Sequence, residues 1–177
     1  MQQEQAIKSY DLIIVGGGMA GFALAAGLAD SGLKLAIVEA AEQPPSWQAA
    51  TFNTRVSALS EISRQLLADL GAWSAMQKLR VNPYQGMRVW DAEGTAEVVF
   101  EAADAGVTHL GYLVESAVTQ LGLLEAVAEQ ANLDWYQGVE AVALSEPLST
   151  YGKRQLTLSD TSQLEAALIV GADGANS

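Results

Sequence analysis

The sequence contains no cysteine, a single histidine and few basic residues. Without cysteine, the chain of 177 residues cannot form a disulfide or a thiolate metal site, and this composition fits a reducing, cytoplasmic environment. Only 9 basic residues stand against 21 acidic ones, giving a net charge of −12. Phosphate contacts require clusters of Lys and Arg, which are absent, so we expect no nucleic-acid partner.

The sequence also lacks a secretory signal and a predicted membrane span. Residues 1–9 are polar and contain no apolar core. Residues 12–29 are uncharged over almost the length of a span, but their glycines divide them into a strand, a turn and a helix. Any membrane contact is therefore expected to be peripheral, and the acidic balance provides no attraction to anionic lipid.

The most informative stretch of the chain runs from Asp11 to Glu39. Four consecutive apolar residues, 12–15, predict a parallel strand that is buried on both faces. Gly16, Gly18 and Gly21 follow at the spacing G-x-G-x-x-G, and an Ala- and Leu-rich run then predicts a helix up to a stop signal at Gly32. A second strand, 35–38, ends at Glu39. The order strand, glycine turn, helix, strand predicts a dinucleotide-binding unit.

Each glycine of this turn has a physical role. Gly16 allows a sharp turn, Gly18 leaves no Cβ between the backbone and a pyrophosphate, and Gly21 lets the helix pack closely on the sheet. The pyrophosphate would lie at the helix N-terminus, where N–H groups and the dipole favour negative charge. Glu39 can accept ribose hydroxyls and disfavours a 2′-phosphate, so we predict the ADP part of FAD or NAD. A glycine-rich turn without a ligand is the alternative interpretation.

The following residues depart from the pattern of an NAD dehydrogenase. Ala40 to Thr54 predicts a loop rather than a further strand of the same sheet, which favours FAD. A helical pattern ended by Gly71 follows, with apolar residues at Leu59, Ile62, Leu66, Leu67 and Leu70.

The rest of the chain alternates between strand and helix patterns. Residues 86–90 and 95–100 predict a β-hairpin in a different sheet, the first piece of a substrate domain. A strand at 110–115, a helix at 116–130 and a parallel strand at 133–136 follow. The segments 139–144, 155–158 and 164–170 suit a β-meander returning to the first sheet. We predict an α/β, Rossmann-like FAD/NAD(P)-binding fold, with FAD-binding residues 1–82 and 105–177 interrupted by the hairpin, 83–104.

Three blocks carry a family resemblance when taken together. They are residues 14–39 with the glycine turn, Arg55-Val56-Ser57-Ala58-Leu59, and Val170-Gly171-Ala172-Asp173-Gly174-Ala175-Asn176-Ser177. This combination resembles the flavin-dependent aromatic hydroxylases, in particular the ubiquinone-biosynthesis monooxygenases of the UbiH, UbiI and UbiF (VisC) type. The resemblance spans the whole chain, and the co-occurrence of the blocks is more specific than any one of them.

The resemblance implies a cofactor role for each matching residue. The glycine turn and Glu39 would bind the ADP half of FAD, and Arg55 would lie beside the pyrophosphate. Where the family usually offers an Arg or Asn at the start of a helix, this sequence has Ser116, so that contact is in doubt. A surface cation at Arg55 and a simple turn at Asp173 are the alternatives. The predicted cofactor-binding residues are Gly16, Gly18, Met19, Ala20, Gly21, Glu39, Arg55, Asp173 and Gly174.

The implied chemistry belongs to the flavin. NAD(P)H reduces FAD, O₂ adds to give a C4a-hydroperoxyflavin, and one oxygen atom passes to a prenylated phenol. The protein orients the reactants and excludes water. No metal or catalytic side chain is predicted, and His109 is expected to make local contacts only. Peripheral association with the inner membrane, or with a ubiquinone-biosynthesis complex, is left open.

The length of the chain is the main departure from the family. Members are longer and carry a later Gly-Asp motif, so the resemblance predicts an N-terminal fragment that binds FAD weakly or not at all. Two other functions stay open. One is a different FAD- or NAD-dependent oxidoreductase, such as a dehydrogenase or a halogenase, and the other is a non-catalytic dinucleotide-fold subunit.

Overall fold

The computed structural model describes residues 7–146 and 152–174. The chain divides into two compact units, the first comprising the described residues up to Pro45 and from Leu123 onward, the second Ser46–Gly122. The elements in chain order are β1 (Lys8–Val15), α1 (Met19–Gly27), β2 (Leu35–Glu39), β3 (Val56–Ser60), α2 (Glu61–Asp69), α3 (Trp73–Leu79), β4 (Asn82–Tyr84), β5 (Gly86–Trp90), β6 (Glu97–Glu101), β7 (Gly111–Glu115), α4 (Ser116–Val127), β8 (Leu133–Gln137), β9 (Ala141–Leu144), β10 (Arg154–Leu158) and β11 (Gln163–Gly171).

A six-stranded sheet forms the first unit. Its strands lie in the order β8-β2-β1-β11-β10-β9. The first four strands are parallel, and β10 and β9 run antiparallel to their neighbours. The predicted α/β fold, a parallel sheet joined by a β-meander, is therefore confirmed. Because β11 pairs with β1, the end of the described chain lies beside its beginning.

The two strands that flank the glycine turn form the centre of this sheet. Ile13, Ile14 and Ile37 have no exposed surface, and Val38 is 1% exposed. Continuous burial of this kind is expected of a parallel strand covered on both faces. The apolar strands fix the carboxyl ends of β1 and β2, and therefore the position of the turn between β1 and α1.

Helix α1 ends earlier than the sequence predicts. It stops at Gly27 rather than near Gly32, which instead has a φ of +73° in the connection to β2. The side-chain amide of Gln130 donates to the Ala25 carbonyl, and that of Asn132 donates to the Leu28 carbonyl. Side-chain amides from residues distant in sequence therefore satisfy carbonyl groups at this end of the helix. The sequence near the helix end does not predict these contacts.

The second unit contains two small sheets, β3-β7-β4 and β5-β6. The helical pattern predicted to begin at Leu59 is wrong at its start, because Leu59 lies in β3 and pairs with Tyr112 of β7. Ser60 then caps α2 by accepting a hydrogen bond from the Ser63 N–H. The predicted apolar face is also partly wrong, since Ile62 is 84% exposed. Helix α3 was not predicted, because its 7 residues are too few for a clear periodicity.

The predicted hairpin is present as the separate sheet β5-β6. Met87 pairs with Phe100, and Val89 pairs with Val98. Every residue of the two strands is exposed. The assignment of this hairpin to a substrate domain stays a prediction. Within the described ranges, none of the helices combines the length and the hydropathy needed to cross a membrane.

Candidate functional site

The turn between β1 and α1 accepts only glycine at two of its positions. Gly16 has a φ of +110°, and a Cβ there would overlap the backbone of Ala172 and Asp173. A Cβ on Gly21 would overlap the Gly16 carbonyl oxygen and lie 3.3 Å from Ile14 Cγ2. These two glycines therefore allow the turn and the helix to lie close to the sheet, as their spacing predicts.

Gly18 differs from these two glycines because its surroundings are open. It is the N-cap residue of α1, no side chain caps this end of the helix, and the nearest atom to an added Cβ would be the Ala172 oxygen at 3.9 Å. The first N–H groups of an α-helix have no partner within the helix, so they can bind an anion. Met19 and Ala20, the first residues of α1, are exposed at the same end.

Glu39 lies at the end of β2 with its carboxylate directed at the glycine turn. Its Oε2 accepts a hydrogen bond of 2.5 Å from the Gly17 N–H, and its Oε1 accepts one of 2.7 Å from the Ala41 N–H. An ionised carboxylate has about four acceptor positions, so acceptor capacity for ribose hydroxyls remains. The two backbone bonds fix the carboxylate at the tip of the sheet.

A cavity of about 430 Å³ opens at the carboxyl ends of the central strands. Its wall includes Gly16, Glu39, Glu140 and Asp173. Asp173 reaches this place because β11 is parallel to β1, and the Ala172 N–H donates to the Val15 carbonyl at 2.6 Å. The volume is within the usual range for small-molecule sites. Three of the predicted residues, which are far apart in sequence, thus line one cavity.

The lining of this cavity carries negative charge. It includes the carboxylates of Glu39, Glu140 and Asp173 and no Lys or Arg from the described residues. Sequence reasoning missed Glu140, because it lies in an irregular segment between β8 and β9 with no motif around it. The charge suits the hydroxyls of a ribose and opposes an additional phosphate at this position. A pyrophosphate is better placed at the N-terminus of α1.

The remaining predicted residues are less constrained. Gly174 has a φ of +92°, as a turn after β11 requires, and no atom would contact its Cβ. Residues 175–177 of the third sequence block lie outside the described residues. Arg55 belongs to the second unit, where its side chain is exposed, and its role toward a cofactor stays a prediction. In the same unit the Ser116 N–H donates to the Arg55 carbonyl at 2.9 Å.

His109 makes the local contacts that the sequence predicts. Its Nδ1 lies 2.9 Å from Thr108 Oγ1, and its ring stacks edge-on against Tyr112 with centroids 4.7 Å apart. Its Nε2 lies 3.9 Å from a carboxylate oxygen of Glu61. These neighbours all come from the second unit.

Comparisons with known proteins give a consistent result. A family model described as an FAD binding domain matches residues 9–177. The 3-demethoxyubiquinol 3-hydroxylase of Escherichia coli is 38% identical over 167 residues, which are 94% of this chain and 42% of that protein. The mitochondrial ubiquinone biosynthesis monooxygenase COQ6 of Xenopus tropicalis is 35% identical over 184 residues, covering 95% of this chain and 38% of the relative.

A solved structure shows the same fold. The p-nitrophenol 4-monooxygenase PnpA of Pseudomonas putida gives a TM-score of 0.74 at 16% identity, covering 97% of this chain and 42% of that one. The chain therefore spans about two fifths of the length of the proteins to which it is similar.

Proposed function

The chain belongs to the family of FAD binding domains, and from that premise we propose that it is the FAD-binding part of a monooxygenase that hydroxylates a prenylated phenol in ubiquinone biosynthesis. The similarity to two ubiquinone-biosynthesis hydroxylases supports the choice of reaction. The co-reactants would be O₂ and NAD(P)H. The proposed setting is the cytoplasm, with peripheral contact to the inner membrane or to other ubiquinone-biosynthesis proteins.

The arrangement of Gly18 and Glu39 carries the cofactor proposal. Gly18 leaves open space at the N-terminus of α1, where a pyrophosphate can accept backbone N–H groups. Glu39 is already held at the tip of β2, where it can accept ribose hydroxyls. These residues fit the ADP half of FAD. Asp173 and Gly174 would approach the cofactor from the end of β11, and Arg55 would supply the cation for the pyrophosphate.

The bound flavin would supply the redox chemistry. The chain itself would contribute three things: backbone donors at the glycine turn, a fixed carboxylate for the sugar, and a cavity at the carboxyl ends of the central strands. Because the chain spans about two fifths of its relatives, we expect its own affinity for FAD to be weaker than that of a longer relative.

A titration with FAD and with ADP tests the cofactor proposal. The chain is expected to bind both ligands saturably. Equilibrium dialysis, with ligand concentrations up to the millimolar range, measures this binding. Gly18→Ala should weaken binding about tenfold or more, because its Cβ would stand where the pyrophosphate approaches while meeting no protein atom closer than 3.9 Å. Gly27→Ala, at the other end of the same helix, is the matched control and should bind normally.

The reaction is tested on the longest natural protein that contains this chain. A prenylated phenol should stimulate oxidation of NAD(P)H by the flavin-loaded protein, and one atom of ¹⁸O₂ should enter the ring. Flavin binding without ring hydroxylation would favour a different oxidoreductase. Absence of any bound nucleotide would favour a non-catalytic subunit.

A further inference from the structure

We propose that Glu115 and Arg80 are positioning residues, which hold the segment Ser46–Arg55 in the conformation that presents Arg55. The role toward FAD rests on the proposed function. The holding of the segment itself depends only on contacts within the second unit. Neither residue was a candidate from the sequence, and neither needs to touch the cofactor.

Arg80 contacts this segment both through hydrogen bonds and through the flat face of its guanidinium group. Its Nη1 donates to the Thr51 carbonyl at 2.8 Å, and its Nη2 donates to the Ala49 carbonyl at 2.5 Å. The guanidinium lies 5.2 Å from the ring centroid of Trp47 and 4.2 Å from that of Phe52. Both distances are within the range of cation–π attraction. One side chain thus contacts four residues of a segment that has no helix or strand of its own.

Glu115 holds Arg80 and also contacts the segment directly. Its Oε1 accepts a hydrogen bond of 2.5 Å from Arg80 Nη1, and its Oε2 accepts one of 2.9 Å from the Asn53 N–H. The Glu115 side chain is only 6% exposed. Burial by itself raises the pKa of Glu115, but the neighbouring N–H donors of Asn53, Arg80 and Trp47 outweigh it, so the net pKa is lowered. The carboxylate is therefore ionised at neutral pH.

The backbone of Arg55 is fixed from both sides by these contacts. Its N–H donates to Asn53 Oδ1 at 3.1 Å, and the N–H of Asn53 is in turn held by Glu115. Its carbonyl accepts from the N–H of Ser116, the residue that follows Glu115. The Arg55 guanidinium, by contrast, makes no hydrogen bond or ion pair with any residue that the structure describes. Its backbone is fixed and its charge is available.

The two arginines therefore have different roles. The guanidinium of Arg80 donates within the protein, where its planar group can bind two carbonyls and a carboxylate together. The guanidinium donors of Arg55 can bind a ligand. An unpositioned arginine would lose backbone and side-chain entropy when it bound a phosphate, so the fixed backbone should increase the affinity that Arg55 provides.

Hydrogen exchange on the unliganded chain tests whether the segment is held. In Glu115→Gln the segment 46–55 should exchange about tenfold faster or more, because a charge-assisted pair is lost. Asn53→Ala, at an exposed position, should affect mainly the Arg55 amide and keeps the test valid if the first variant does not fold. Glu97→Gln removes an exposed pair with Arg88, at 3.2 Å, and is the matched control. Unchanged exchange of residues 46–55 in Glu115→Gln would overturn the proposal, and so would, if that variant does not fold, an unchanged Arg55 amide in Asn53→Ala.

A double-mutant cycle on FAD affinity tests whether Glu115 acts through Arg55. Arg55→Ala should raise the Kd about tenfold, and Glu115→Gln should raise it by a smaller factor. The double variant should bind no more weakly than Arg55→Ala, within about twofold, whereas a purely structural role would give additive effects. Additivity would overturn the proposal. If the unsubstituted chain binds neither FAD nor ADP, the proposed function fails, while the exchange experiment still decides whether Glu115 holds the segment.

Discussion

The glycine turn of the first unit and the segment Ser46–Arg55 of the second unit both carry predicted FAD contacts, but different forces hold them. The turn depends on strand residues without exposed surface, such as Ile13, Ile14 and Ile37, and on glycines that allow close packing. The segment depends on one ion pair, Arg80 with Glu115, and on hydrogen bonds to it. The first arrangement is mainly steric and apolar, with one hydrogen bond from the Gly17 N–H to the Glu39 carboxylate, whereas the second is mainly electrostatic.

This difference has a consequence for how each contact responds to change. Steric packing is insensitive to pH and salt, but it tolerates almost no added volume. A buried ion pair tolerates neither the loss of a partner nor its neutralisation, because the remaining charge is left without compensation. Substitutions and changes of pH should therefore affect the stability of the turn and that of the segment differently.

The largest effect is expected at the ion pair. Glu115→Ala should destabilise the second unit by about 3–5 kcal/mol, since Arg80 would remain partly buried without its carboxylate. Urea unfolding followed by hydrogen exchange would assign the loss to residues 46–122. Glu97→Ala, which removes the exposed partner of Arg88, should cost at most about 1 kcal/mol. Equal losses in the two variants would mean that burial of the pair contributes nothing.

A smaller loss is expected from overpacking at the turn. Gly21→Ala should destabilise the first unit by about 1–3 kcal/mol, because its Cβ would overlap the Gly16 carbonyl oxygen. Gly18→Ala should be almost neutral for stability, since no atom lies within 3.9 Å of its added Cβ. Thermal unfolding of the two variants provides the comparison, and a Gly18→Ala variant as unstable as Gly21→Ala would contradict it.

Acidification should weaken the contacts that hold the segment. The folded-state pKa of Glu115 is lowered, so its stabilisation is complete above the unfolded-state pKa of about 4.3 and is lost as the pH falls through the lower folded value. The NMR signal of the Trp47 indole N–H, which is buried beside this carboxylate, should report that step below about pH 4.3. The step should be missing in Glu115→Gln. A transition at neutral pH would contradict the assignment.

The smallest effect is expected in the hairpin β5-β6. Val89 is 52% exposed, so Val89→Ala should change the free energy of unfolding by no more than about 0.5 kcal/mol. Chemical denaturation of the variant beside the unsubstituted chain is the measurement. A loss above 1 kcal/mol would show that this face is covered in solution.

The sequence predicted the parts of the fold that depend on local patterns. The continuous apolar runs of β1 and β2 predict buried strands, and the glycines between them predict a tight turn. Both patterns are formed by residues that are neighbours in the sequence. The place of Asp173 followed from the predicted return of the meander to the first sheet. The same reasoning gave the correct β-hairpin from alternation, although alternation carries no information on what covers the two faces.

The rest depends on contacts between residues far apart in the chain. The early end of α1 depends on side-chain amides of Gln130 and Asn132, about a hundred positions away. The ion pair of Arg80 and Glu115 joins the residue that follows α3 to the last residue of β7, and no motif links the two positions. Ile62 follows the helical period of an apolar face but is exposed in the structure. Spacing indicates which face a residue occupies, but the elements that pack against that face are set by the tertiary fold.

The parallel pairing of β1 with β11 has a consequence for synthesis of the chain. The glycine turn leaves the ribosome long before β11, the strand that completes its surroundings and ends at Gly171. During translation, one edge of β1 therefore has no partner until the residues between β1 and β11 have been made. Such sequence-distant pairing slows folding and exposes an apolar strand edge to other chains. The nucleotide site can thus be assembled only after nearly the last described residue has emerged.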